Sequence, residues 1–137
     1  MGLIQIYQKT GLKPYQIRDV STVFAVQKYL KNQNFQREEL NRVIKALRDK
    51  KCELAIWGTG SYVMSLFATT NLQQCNIKCF IDNNKIKQGR KMYNYPIHSP
   101  DILKNKPYII LICAMLYQKQ IQIQIQEMGI KNTIILL

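Results

Sequence analysis

Acid is scarce in this chain. Its 137 residues hold 8 Asp plus Glu against 20 Lys plus Arg, and they include one histidine and one tryptophan. So few carboxylates exclude an acidic disordered tail, and no paired catalytic carboxylates and no Ser-His-Asp arrangement stand out. The net charge of +12 makes acidic or phosphorylated partners the natural ones. Long apolar runs are missing too, since none approaches the ~20 residues that cross a bilayer. The opening MGLIQIYQKT lacks a basic segment followed by an apolar one, so no signal peptide is expected. What remains is one domain's worth of chain with 47% hydrophobic residues, long enough to build a core without disulfides.

Cysteines are few: Cys52, Cys75, Cys79 and Cys113. Only Cys75 and Cys79 are close in sequence, and no second tight pair joins them as a structural zinc site requires. No metal site is expected. The alternation of Cys75, Ile77, Cys79 and Ile81 places them on one face of a strand. Free thiols on apolar segments fit a reducing compartment, the cytoplasm. The basic excess is spread, with 11 basic and 4 acidic residues over 1–51 and 9 basic and 4 acidic over 52–137. A distributed excess reads as solvated surface, and without a clustered footprint or a recognised motif nucleic acid is not expected as a partner.

Along the chain, Ile4 and Ile6 start either a short strand or a loose arm, broken by Gly11 and Pro14. Residues 17–30 read as a helix with Ile17, Val20, Phe24 and Leu30 on one side. A second, amphipathic helix is predicted over 34–50. Asn34 is its expected N-cap, Glu38 and Glu39 lie near its start, Leu40, Val43, Ile44 and Leu47 form its buried stripe, and Lys45, Arg48, Lys50 and Lys51 crowd its end. Residues 1–51 thus read as a helical N-terminal extension, and 52–137 as a nucleotide-binding domain.

Glu53 to Trp57 is a short buried strand running into Gly58-Thr59-Gly60. Ser61 to Phe67 is a helix, 71–74 its end and turn, and Ile77 to Ile81 a second strand ending at Asp82-Asn83-Asn84. A polar loop through Gly89 follows. Residues 95–98 hold a brief third strand, and Ser99-Pro100-Asp101 opens a short helix, with Ser99 as cap. Residues 108–113 are a doubly buried strand. Residues 117–129 carry both a strand alternation through Ile121, Ile123 and Ile125 and a helical spacing of Tyr117, Ile121, Ile125 and Met128. A helix is preferred, because parallel strands at 108–113 and 133–137 need a crossover; Gly129 stops it. The expected fold is a three-layer, Rossmann-like α/β domain with a mostly parallel sheet of about five strands.

The informative constellation is strand, Gly-x-Gly, helix, strand, Asp. Gly58 permits the tight turn, and Gly60 lets a phosphate approach the main chain. Amides around Gly60, Ser61 and Tyr62 point at the anion. Asp82 follows Gly60 by 22 positions, where such a site places an acid near a ribose or base. Val63 stands where the dinucleotide fingerprint has its third glycine. The expected ligand-binding residues are therefore Gly58, Thr59, Gly60, Ser61, Asp82 and Asn83. A scaffold whose turn uses glycines and binds nothing stays open beside this reading. Trp57 reads as core, His98 as a turn residue and Asp101 as a first-turn partner of the helix dipole. No catalytic residue is assigned.

The residues Ile56-Trp57-Gly58-Thr59-Gly60, Cys79 to Asn84, Lys87-Gln88-Gly89, Ile97 to Asp101, and the ending Tyr117-Gln118 through Met128-Gly129-Ile130 resemble a known family. Residues 50–137 are similar to the C-terminal Rossmann-like domain of S-adenosylmethionine-dependent sugar C-methyltransferases. The Gly-loop and the Ile81-Asp82-Asn83 pattern are similar as well to those of the N-terminal nucleotide-sugar-binding domains of bacterial sugar acyltransferases. The resemblance implies a nucleotide-diphospho-sugar, with phosphates near Gly58 to Ser61 and base or ribose near Asp82 and Asn83; a dinucleotide is the other ligand the glycine loop suits. A methyltransferase domain needs on the order of 100–200 further residues, and no second glycine loop is visible. The chain therefore reads as a stand-alone or accessory binding domain of a sugar-modifying system, with a catalytic protein partner. Two alternatives stand beside it: a small sugar-nucleotide transferase or epimerase using His98 or Tyr62, and a protein-interaction module with a vestigial site.

Overall fold

A computed structural model describes residues 33–137. The predicted helix over 17–30 and the arm before it lie outside the described residues. Helix α1 (Gln33–Asp49) leads into strand β1 (Glu53–Trp57), helix α2 (Ser61–Thr69), a 3-10 turn (Leu72–Gln74) and strand β2 (Asn76–Ile81). A hairpin of β3 (Lys91–Met92) and β4 (Tyr95–His98), a 3-10 helix (Pro100–Lys104), β5 (Ile109–Ile112), α3 (Gln118–Glu127) and β6 (Ile134–Leu136) complete the order. The strands form one sheet in the order β3-β4-β2-β1-β5-β6. All pairings are parallel except β3 with β4, so the mixed α/β class is right while the sheet has six strands rather than about five. The extra strand is a two-residue edge piece joined through Tyr93 and Asn94, both at positive φ (50° and 67°), the geometry of a tight two-residue hairpin turn. Tyr-Asn is not the Asn-Gly signature that marks such turns in sequence.

Each central strand is buried on both faces, and successive residues feed two cores. Leu54, Ile56, Ile109 and Leu111 pack with Ile44 and Leu47 of α1 and Val63, Leu66 and Phe67 of α2. Ala55, Trp57, Ile110 and Ile112 pack with Leu103 and with Ile121 and Ile125 of α3. Helices thus cover both sides of the sheet. Residues 118–127 are helical, as the crossover between the parallel β5 and β6 requires.

Cys75, Ile77, Cys79 and Ile81 do not share a face. The register slips between Leu54↔Ile77 and Ala55↔Cys79, so Lys78 is an extra residue on β2. Cys75 and Ile77 therefore join the α1/α2 core, and Cys79 and Ile81 the opposite one. A one-residue bulge reverses every side chain beyond it. All four cysteines are free and buried.

Helix ends also differ in detail. Asn34 lies within α1 rather than capping it, and the first turn holds no acid. Ser99 makes no side-chain cap bond; its Oγ sits 3.5 Å from the Asp101 carboxylate. Asp101 pairs instead with Lys104 at 3.3 Å. At the end of α1, Lys51 takes the left-handed conformation (φ 52°) while Cys52 N–H donates to the Leu47 carbonyl and Lys51 N–H to that of Arg48. The same pair of bonds closes α3 around Gly129, from Ile130 N–H to Ile125 and from Gly129 N–H to Gln126. Among the described residues no helix is long and apolar enough to cross a membrane.

Candidate functional site

The strand order reverses at β1: β2 and β4 are added on one side of it, β5 and β6 on the other, all running parallel to it. From β1 the chain crosses through α2 to β2 on one side, and from β5 through α3 to β6 on the other. The crossovers diverge above the carboxyl ends of β1 and β5, leaving a crevice of the kind in which open α/β sheets bind ligands. A cavity of about 560 Å³ lies there, within the ~300–1,000 Å³ range of small-molecule pockets.

The strand ends are tied together at its floor. Gly58 N–H donates to the Ile81 carbonyl at 3.0 Å, and Cys113 N–H to the Trp57 carbonyl at 2.9 Å. Gly58 has φ +128°, and a Cβ there would lie 2.7 Å from the Cys113 carbonyl oxygen. That glycine is demanded by the scaffold. Gly60 differs: its φ is an ordinary −91°, and a Cβ would meet nothing within 4 Å. It stands at the N-cap of α2 without a side chain to cap the helix, so the first-turn amides are left to whatever enters the cavity.

Gly58, Thr59, Gly60, Ser61, Asp82 and Asn83 all line this one cavity. Thr59 Oγ1 donates to Asp82 Oδ2 at 2.5 Å and accepts from Lys87 Nζ at 3.0 Å. Lys87 Nζ stands 3.7 Å from the same carboxylate oxygen. Asp82 Oδ1 accepts the Asn84 N–H, and Gln88 Nε2 donates to the Asp82 carbonyl. A carboxylate with about four acceptor positions keeps some free toward the cavity. Asn83 and Gln124 exchange two hydrogen bonds, Nδ2 to Oε1 at 2.8 Å and Nε2 to Oδ1 at 2.9 Å.

The remaining wall was not among the expected site residues. It comes from Cys113 to Tyr117, between β5 and α3, and from Gln120, Ile121 and Gln124 of α3. Met115, Leu116 and Tyr117 are exposed apolar side chains. The signal available in the sequence was topological: a loop after the strand at 108–113 faces the Gly-x-Gly loop if both strands flank the reversal. Tyr62 also lines the cavity, with its phenol pKa raised by burial and by the neighbouring Cys113. Burial pushes the Cys113 thiol up to about 12. His98 is not among the lining residues; its carbonyl accepts the Asp82 N–H at 3.2 Å.

A sequence model described as C2185-like, N-terminal, matches residues 49–136, more than half of the chain. Among solved structures, the crystal structure of RSP, a Rex-family repressor, is similar with a TM-score of 0.49 and 18% identity, over 99% of this chain and 73% of that one. No curated protein matches the chain.

The family match corrects the expected kinship. It occupies the residues that resemble the sugar C-methyltransferase C-terminal domain and the sugar acyltransferase domain, and it belongs to neither. The nucleotide-sugar reading goes with that kinship. So do the accessory role in a methyltransferase-related system, the transferase or epimerase alternative and the interaction-module alternative. The physical reason lies in the residues that carried the resemblance. Gly58 answers to the Cys113 carbonyl and Ile81 to the sheet, needs that any chain with this strand–turn–helix shares. Nor does any feature of the described surface support setting nucleic acid aside as a partner, given a net charge of +12.

Proposed function

The chain belongs to the C2185-like N-terminal family, and on that footing we propose that its sheet is a Rossmann-type scaffold binding a nucleotide-type small molecule in the crevice above β1, β2 and β5. The observation that carries this reading is the uncapped start of α2, which opens at Gly60 into a cavity with a cation on one side and an apolar wall on another. Phosphate oxygens accept from the first-turn amides of Ser61, Tyr62 and Val63, where the helix dipole favours negative charge. Lys87, held by Thr59, adds a charge-assisted donor. Gly58 and Thr59 set the turn, and Gly60 keeps the approach clear. Asp82 accepts from ribose hydroxyls, and Asn83 lies beyond it toward the base. No step of catalysis is assigned to these residues.

Thermal unfolding with AMP, ADP, ATP, oxidised and reduced nicotinamide dinucleotides, and inorganic phosphate tests the reading. A nucleotide at 100 times its dissociation constant stabilises by about 2.7 kcal/mol, a shift of several degrees for a domain of this size. If no nucleotide raises the midpoint beyond the effect of inorganic phosphate, the proposal is wrong.

A further inference from the structure

The paired carboxamides of Asn83 and Gln124 do more than close a gap. They come from segments 41 residues apart, the end of β2 and the middle of α3, and both line the cavity. Asn83 is exposed and Gln124 only half-buried. Two such side chains gain little from pairing in water, and the entropy lost in ordering a Gln offsets much of that gain. The bridge is therefore a poor strut and opens cheaply.

The groups that line the cavity are of four chemical kinds. The α2 amides and Lys87 are donors suited to an anion. Asp82, beside Lys87, is an acceptor joined to Thr59. Asn83, its chain neighbour, and Gln124 each present a donor beside an acceptor. Tyr117 and Leu116 supply apolar surface in the same cavity. Donor, acceptor, donor–acceptor and apolar platform are what phosphate, ribose, base edge and base face require in turn.

Resting on the nucleotide reading above, we propose that Gln124 reads the edge of a nucleobase, and that Asn83 holds its carboxamide oriented while the site is free of ligand. A base that carries a donor next to an acceptor takes the place of Asn83 in the two-bond ring, so Gln124 loses nothing on the exchange. Gln124 is the reader because it is fixed on a helix, whereas Asn83 lies on the loop after β2. Tyr117 and Leu116 cover a face of the base.

Calorimetric titration of the full chain with AMP, GMP, CMP, UMP and ribose 5-phosphate provides the test. In the wild type at least one nucleotide binds roughly tenfold or more tighter than ribose 5-phosphate, the value of a bidentate base contact. Gln124→Leu reduces that advantage to what the base face gains on Tyr117 and Leu116, and leaves ribose 5-phosphate affinity unchanged. Gln124→Glu offers two acceptors, which suit the adjacent N1 and N2 donors of guanine, and it shifts the GMP-to-AMP affinity ratio toward GMP by about tenfold. Charge repulsion on the phosphate cancels in that ratio. An unchanged ratio in Gln124→Glu, with the nucleotide advantage undiminished in Gln124→Leu, overturns base reading by Gln124 while leaving the nucleotide site intact. Failure of every nucleotide to bind the wild type overturns the site itself and this inference with it.

Discussion

The carbonyl oxygen of Cys113 lies 2.7 Å from where a Cβ on Gly58 would stand. Side chains do not tolerate that distance, and the blocking atom belongs to a strand end already bonded to Trp57. With φ at +128°, Gly58→Ala adds backbone strain to the collision. The expected loss is about 2–4 kcal/mol, read as a lower urea midpoint with an unchanged slope.

Gly60 behaves in the opposite way. Its extended backbone suits an N-cap, and the space beside it is open. Gly60→Ser supplies the missing cap and raises stability by a few tenths of a kcal/mol. The hydroxyl also consumes an amide meant for the ligand, so the nucleotide-induced thermal shift shrinks. A variant that is at least as stable and binds nucleotide equally well counts against phosphate binding at α2.

Lys51 occupies a left-handed position at the end of α1 that favours glycine. Lys51→Gly relieves strain of about 1–2 kcal/mol against a backbone-entropy cost of about 0.5–1 kcal/mol. A net gain of roughly 0.5–1 kcal/mol is expected in chemical denaturation.

The buried thiols set an alkaline limit. Burial raises Cys79 to about 11 and Cys113 to about 12; burial also raises Cys75 to about 11, against the opposing charge of Arg48. In the unfolded chain the same thiols ionise near 8.5. Above that pH the unfolded state sheds protons that the folded state keeps, so stability falls as pH rises, by up to about 1.4 kcal/mol per pH unit for each thiol. Urea midpoints should hold steady from pH 7 to 8 and decline between pH 9 and 11. Cys113→Ala, though less stable at neutral pH, should decline less steeply.

Much of the scaffold is legible in short stretches of sequence. The strand at 53–57, the turn at Gly58, the helix from Ser61 and the strand ending before Asp82 follow from local runs of apolar residues punctuated by glycine. Residues 118–127 needed one step more, since their alternation argues for a strand and only the parallel neighbours make them a helix. The bulge at Lys78 left no local mark, because Cys75, Ile77, Cys79 and Ile81 alternate as an unbroken strand would. Kinship is not legible for a related reason: the residues that build the strand–glycine–helix corner are common to chains that fold this corner.

Within the candidate site, Gly58 to Ser61, Asp82 and Asn83 were visible because each ends a strand or starts a helix nearby in the chain. Lys87, Tyr117 and Gln124 were not. Lys87 reaches Thr59 across 28 residues and Gln124 reaches Asn83 across 41. Hydrophobic patterning settles which segments are strands and helices, since burial of a face is a local demand repeated along each element. Which side chains meet across the crevice depends on strand order, on the bulge that turns β2 over, and on two crossovers that diverge from β1 and β5. Those are long-range outcomes of packing, and no window of the sequence contains them.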